Sequence, residues 1–336
     1  MAQASVMPSP TSEEMQQILV EIEKLDSQIA SASQRQQPKL HARRADLLQK
    51  LAASAASEAE QRQWLMQLAD MVSAAAQDGS YPDGVDRLEK MEKTLAKQNA
   101  ADELVTHYKF RRMQAENSQR LSDPKADYAK VHADWPQELR AFVKAHRNSP
   151  HAAEALLQLA MHSEFSSEED AAEKYYRQIV EDFPQSPSVD KARGAVTRLT
   201  SEGEEISLAG DSVRGGKIDL RQFRGKPVVV QYWVSSYPAC KAEHAVLKEL
   251  YSDYGGKRFE VLGVNLDYTR EELLNYLEDN PLPWRQIHEP GGFDSRPANE
   301  MGVISLPLML LIDKTGKVVD RNISAEDVEE ELKKLF

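Results

Sequence analysis

The sequence holds a single cysteine, Cys240, in 336 residues. One thiol closes no disulfide within the chain and builds no cysteine-based zinc site. It leaves the compartment open, because a lone cysteine suits a reducing interior and an exported protein that needs no staple alike. Long apolar runs are also missing. None approaches the ~18 residues that cross a bilayer, which excludes a transmembrane helix. Net positive charge is absent: 42 Lys+Arg stand against 54 Asp+Glu, a formal −12. The deficit is shared, with 25 basic against 30 acidic residues up to position 200 and 17 against 24 beyond it. Neither half is therefore a basic arm, and no nucleic-acid partner is expected. Met1 to Pro10 has no basic n-region and no apolar h-region, so it does not read as a signal peptide; a mature N-terminus behind an added Met is equally compatible. The eight histidines show no His-x-x-x-His spacing, and Gly215-Gly216 and Gly291-Gly292 lack a phosphate-loop context. No metal and no cofactor are expected.

What is present is the composition of a globular chain, 41% apolar and 29% charged, with length enough for two domains. Residues 11–204 read as helical throughout. Thr11-Ser-Glu-Glu14 is a capping signature ahead of Ile18, Leu19, Ile22 and Leu25, apolar at helical spacing. Leu40 to Leu51 and Trp64 to Met71 continue the pattern, Asp78 to Gly84 breaks it, and helices are expected near 85–97 and 101–118. Over 124–200, small Ala residues, Tyr175-Tyr176 and Phe183-Pro184 alternate, and Asn148-Ser149-Pro150 echoes Gln185-Ser186-Pro187 at an offset of 37 residues. This resembles tetratricopeptide-type helical hairpins, with a generic bundle as the alternative. Ser201 to Ser212 reads as a linker.

Residues 205–336 change period. Val228 to Val234 is a near-continuous β-branched and aromatic run, suited to a strand buried on both faces. A helix follows from Pro238 to about Tyr254, stopped by Gly255-Gly256. Strands are expected at 259–265, 284–288, 308–313 and 317–321, with Thr269 and Ser324 capping helices and Asp313-Lys-Thr-Gly316 turning a hairpin. The order predicts an α/β domain with a mixed sheet and helices on both faces.

These pieces resemble the thioredoxin fold, in particular the TlpA-like thiol–disulfide oxidoreductases. The matching segments are Ile218 to Val229, Tyr232 to Ser235, Cys240 to Glu243, Gly263 to Asp267, and Leu306-Pro307 with Leu311 to Gly316. The resemblance implies a thioredoxin-like domain, a cis-proline at Pro307, a main-chain surface before it that pairs with an extended peptide, and a periplasmic or otherwise extracytoplasmic location. It also implies a Cys-x-x-Cys at the helix start. Here those four positions read Tyr237-Pro238-Ala239-Cys240. The attacking position holds a phenol of pKa about 10, which performs no thiolate exchange.

Three readings of Cys240 stay open: a buried small hydrophobe, a reactive monothiol, and a peroxiredoxin-like nucleophile with Tyr237 in place of that family's Thr. Glu243 stands where the family has its proton-transfer acid; a structural role is expected here. His244 invites a Cys–His pair, but a solvent-facing imidazole is expected. Trp233, Tyr237, Leu306 and Pro307, with Tyr232, would line a peptide groove, although strand neighbours point oppositely, so at least one of Tyr232 and Trp233 belongs to the core. The function expected is protein or peptide binding without dithiol exchange. The alternative is a monothiol oxidoreductase, antioxidant or sensor acting through Cys240 with Glu243, its sulfur joining a partner protein or a second copy in a dimer.

Overall fold

The structure, a computed structural model, describes residues 12–336; the expected cap residue Thr11 lies outside them. The chain divides into two compact units, one up to residue 155 and one from residue 156.

The first unit is all helix: α1 (Ser12–Ser31), α2 (Gln37–Ser54), α3 (Glu58–Gln77), α4 (Gly84–Lys97), α5 (Asp102–Ser122), α6 (Tyr128–Ala145) and the first turns of α7 (Pro150–Phe165). Leu25, Leu48, Leu51, Leu68, Val72, Leu88 and Tyr108 fill its core. Local chemistry sets the boundaries. Ser57 Oγ accepts from Glu60 N at 3.2 Å to start α3, and two acidic residues in that first turn suit the positive end of the helix dipole. Gly84 opens α4 hard against α3, where a Cβ would lie 3.0 Å from Ala76 Cβ.

In the second unit a five-stranded sheet runs in the order β5-β4-β3-β6-β7. Its strands are β3 (Val228–Trp233), β4 (Glu260–Asn265), β5 (Arg285–His288), β6 (Leu308–Ile312) and β7 (Val318–Asp320). β3 is central, parallel to β4 and antiparallel to β6. All its residues are buried, as an uninterrupted apolar run requires. Val228, Val230 and Tyr232 face one core cluster; Val229 and Trp233 face the other. Helices α10 (Pro238–Tyr254), α11 (Arg270–Asp279), α12 (Arg296–Glu300) and α13 (Val328–Leu335) complete the α/β part. Thr269 caps α11 with a reciprocal capping box to Glu272. The expected Asp313–Gly316 turn forms, with Gly316 at φ +93°.

Two features depart from the expectations. The stretch read as a linker is a sheet-edge strap. Gly203 N donates to Val318 O on β7 at 2.8 Å, and Val213 N donates to Gln286 O on β5 at 3.1 Å. Between these contacts lies β1 (Ala209–Asp211), paired with β2 (Lys217–Asp219). Both outer edges thereby gain main-chain partners, which protects them from pairing with other chains. The second departure concerns α8 (Glu169–Asp182) and α9 (Val189–Leu199). They cluster with the sheet, although α9 ends at Leu199 and the first strand begins only at Ala209. They pack on each other, and α9 packs on α12, where Gly194 approaches so closely that a Cβ would lie 1.9 Å from Asn299 O. Arg198, only 7% exposed, fixes this contact. Its Nε donates to Met301 O at 3.0 Å, its Nη2 to Gly302 O at 3.2 Å and to Glu164 at 2.8 Å, and Tyr176 Oη donates to Glu164 at 2.6 Å.

Candidate functional site

The C-terminal end of β3 delivers the chain to the start of α10, and this junction collects most of the expected residues. Tyr237 is the N-cap of α10, in extended backbone with no side-chain cap, and is 46% exposed. Pro238 follows at the first helical turn, where its missing N–H costs nothing. Cys240 lies within the same turn but points inward and is completely buried. Two effects compete at its sulfur. A helix start and the hydrogen bond from the Val234 backbone favour the thiolate; burial, the largest effect, opposes it, and Glu243 and Asp267 add like charge. Burial prevails, so the thiol titrates above its ordinary range. This placement leaves the Cys240 sulfur without exposure at the surface.

Beneath the helix start, Gln231 of β3 donates Nε2–H to Glu243 Oε2 at 2.8 Å. Burial raises the Glu243 carboxyl, and the Gln231 hydrogen bond only partly offsets that. Gln231 Oε1 is buried with no partner among the described residues.

Two expectations need correction. Trp233 does not line a groove. It is fully buried on the α10 face of the sheet, its Nε1 donating to Gln286 Oε1 at 3.0 Å. Gly263 makes room for that amide, since a Cβ there would lie 1.9 Å from Gln286 Oε1. Tyr232 is equally buried on the opposite face, so both strand neighbours are core. His244 is the second correction. The imidazole is 2% exposed, packed edge-on to Trp233 at 4.5 Å, with Nδ1 hydrogen-bonded to Tyr276 Oη at 3.1 Å. One residue along a helix turns a side chain by about 100°, which carries His244 away from Cys240 and into the aromatic cluster.

Burial and Lys248 depress the His244 pKa to about 4. The unfolded chain therefore binds the proton more readily between about pH 6.5 and 4, and stability that is complete above pH 6.5 is lost as the pH falls through that window. The loss should reach on the order of 2–3 kcal/mol. Urea midpoints at pH 7 and pH 4.5 will check it. The fall should be clearly smaller in His244→Phe, and an equal fall in both proteins would remove His244 as its source.

The third part of the junction was not singled out from sequence. Asp267, buried at the end of β4, accepts from Ser235 N at 2.8 Å and from Ser235 Oγ at 3.0 Å. Asn265 Nδ2 donates to its other oxygen at 2.9 Å, and His288 Nδ1 lies 3.0 Å from Asn265 Oδ1. These residues clamp the loop that presents Tyr237. Their signal was the polar trio Asn265, Asp267 and Ser235 interrupting apolar strand ends. Opposite, β6 pairs Leu308 with Tyr232, which brings Pro307 beside the end of β3. The Leu306–Pro307 peptide is cis. Leu306 and Pro307 are half-buried, Ser305 is exposed, and the backbone groups of Ile304, Ser305 and Leu306 make no hydrogen bond among the described residues. Chemically, the junction offers an exposed phenol, unpaired main-chain groups and no accessible thiol.

A family model described as thioredoxin-like matches residues 225–318. The thiol-disulfide oxidoreductase ResA of Bacillus thuringiensis subsp. konkukian is 32% identical over 126 residues, which is 37% of this chain and 71% of that protein. The thiol:disulfide interchange protein DsbE homolog of Paracoccus denitrificans is 31% identical over 124 residues, 36% of this chain and 65% of that protein. Among solved structures, a thiol-disulfide oxidoreductase from Bacteroides fragilis is 29% identical, covering 39% of this chain and 98% of its own, with a TM-score of 0.36.

Proposed function

This chain belongs, through its C-terminal part, to the thioredoxin-like thiol–disulfide oxidoreductase family, and from that premise we propose that it has left dithiol exchange and holds an extended protein segment at the surface between Tyr237 and Pro307. The observation that carries the reading is the split between two positions. The place for an exposed attacking thiol holds Tyr237, and the one thiol in the 336 residues sits buried at Cys240. Exchange needs a thiolate that meets its disulfide in the open and a second thiol to resolve the adduct. Neither requirement is met, and the raised thiol pKa works against the monothiol and peroxidase readings as well.

Docking needs less. The unpaired peptide groups of Ile304 to Leu306 can add a strand of a partner through main-chain hydrogen bonds. Tyr237 supplies amphipathic contact area on the facing side. An extracytoplasmic site of action belongs to the same proposal, by descent from the family.

Two measurements on the native chain test it. Ellman's reagent should modify Cys240 at pH 7 only as fast as the protein opens, with full reaction after denaturation. Insulin reduction by dithiothreitol should proceed no faster with the protein than without it. Immediate labelling, or catalysed turbidity, would return the chain to thiol chemistry.

A further inference from the structure

Beside the loop that precedes Pro307 lies a cleft of about 120 Å³. Ile304, Ser305 and Leu308 line it together with Phe165, Asn322 and the charged groups of Glu164, Glu169, Arg198 and Arg321. Its volume is below the roughly 150 Å³ that encloses a benzene ring, so it admits one side chain. Its chemistry narrows which one. Arg198 is more than nine-tenths buried and spends Nε and Nη2 on Met301 O, Gly302 O and Glu164, yet its Nη1 makes no hydrogen bond among the described residues. Nη1 is not among the fully buried atoms without a partner, so it stays accessible and free to donate to an acceptor brought into the cleft. Among the groups lining the cleft two guanidiniums face two carboxylates, Arg198 pairing with Glu164 and Arg321 with Glu169, while Glu202 outside it also pairs with Arg321, so the lining carries no excess positive charge to draw an acidic group.

We propose that this cleft is a subsite for the amide side chain of Asn or Gln on an extended peptide paired to Ile304–Leu306. An amide meets both demands at once. Its carbonyl accepts from Arg198 Nη1, and its NH2 reaches lone pairs left on the Glu164 and Glu169 carboxylates. A carboxylate would face those two carboxylates, an ammonium would face the guanidiniums, and an aliphatic group would leave Nη1 unpaired. The subsite rests on the docking reading above and adds to it a side-chain preference written by α7 and α9.

The probe is a phage-displayed library of random twelve-residue peptides, selected on the full chain, with enriched sequences resynthesised carrying fluorescein. Affinities come from fluorescence anisotropy. Enriched peptides should share an Asn or Gln, and its replacement by Leu or by Glu should weaken binding at least tenfold. Asn322→Phe, an exposed position off the docking loop, should block the cleft and weaken binding equally, with no added loss for the Leu peptide. Thermal unfolding of this variant will show that the fold is kept. If Tyr237→Ala weakens binding while Asn322→Phe and the amide replacements do not, the subsite is wrong and docking stands. If no peptide is enriched, or the enriched ones ignore Tyr237→Ala, the docking reading fails and the subsite with it.

Discussion

Tyr237→Cys should create a disulfide reductase. The substituted position is the exposed N-cap of α10, and Cys240 follows three residues later in the same turn. Side chains three apart on a helix start close enough for a disulfide. The new thiolate would attack a substrate disulfide and release one sulfur as a thiol. Cys240 would then attack the mixed disulfide, freeing the second substrate thiol and leaving a bond between the sulfurs at 237 and 240. Dithiothreitol would reduce that bond and complete the cycle. The proton of Cys240 has a place to go, since the half-buried Glu243 carboxyl lies a turn away, held by Gln231 and titrating above its usual range. Insulin turbidity should rise on the order of a hundredfold faster than with the unaltered chain or with Tyr237→Ser, because thiolate at the helix start sets the rate. Equal rates for all three proteins would mean that more than one residue separates this chain from its catalytic relatives.

Arg198→Ala should produce the largest loss of stability in the second unit. Arg198 and Glu164 form an ion pair whose side chains are 9% and 11% exposed. Removing the cation strands a buried carboxylate that also accepts from Tyr176, and leaves Met301 O and Gly302 O without their donor. Breaking such a pair from one side costs about 3–5 kcal/mol, because the remaining charge stays desolvated. Urea unfolding followed by far-UV circular dichroism should show the midpoint falling accordingly. The double variant Arg198→Met with Glu164→Leu should recover much of it, since an apolar pair leaves no charge behind. A loss below about 1 kcal/mol for Arg198→Ala would mean that water replaces the lost hydrogen bonds and that the helices are only loosely seated.

These two residues also mark how far the sequence was legible. Tyr237 could be read at once, because the position of a motif in a chain is a local fact and a phenol is no thiol. The strand Val228–Trp233 was equally clear, its apolar run stating burial on both faces. Arg198 could not be read. Nothing around it in the sequence says that its guanidinium reaches Met301 and Gly302, more than a hundred residues onward. The strap at 202–213 escaped for a similar reason: short polar segments show whether they pair with an edge only once the edge exists. His244 was misplaced because charge and hydropathy favour solvent for an imidazole, while the Trp233 and Tyr276 rings that enclose it come from β3 and α11.

The amino-acid sequence by itself determined the number of thiols, the identity of the residue at the helix start, and the two periodicities that separate helices from an α/β sheet. Those follow from covalent composition and from backbone geometry repeating every 2 or 3.6 residues. The tertiary structure alone decided which polar groups lose water. It buried Cys240, Trp233 and His244, left Tyr237 and the Ile304–Leu306 backbone open, and seated α9 against α12. Desolvation depends on neighbours brought in from distant parts of the chain, and no local pattern encodes them.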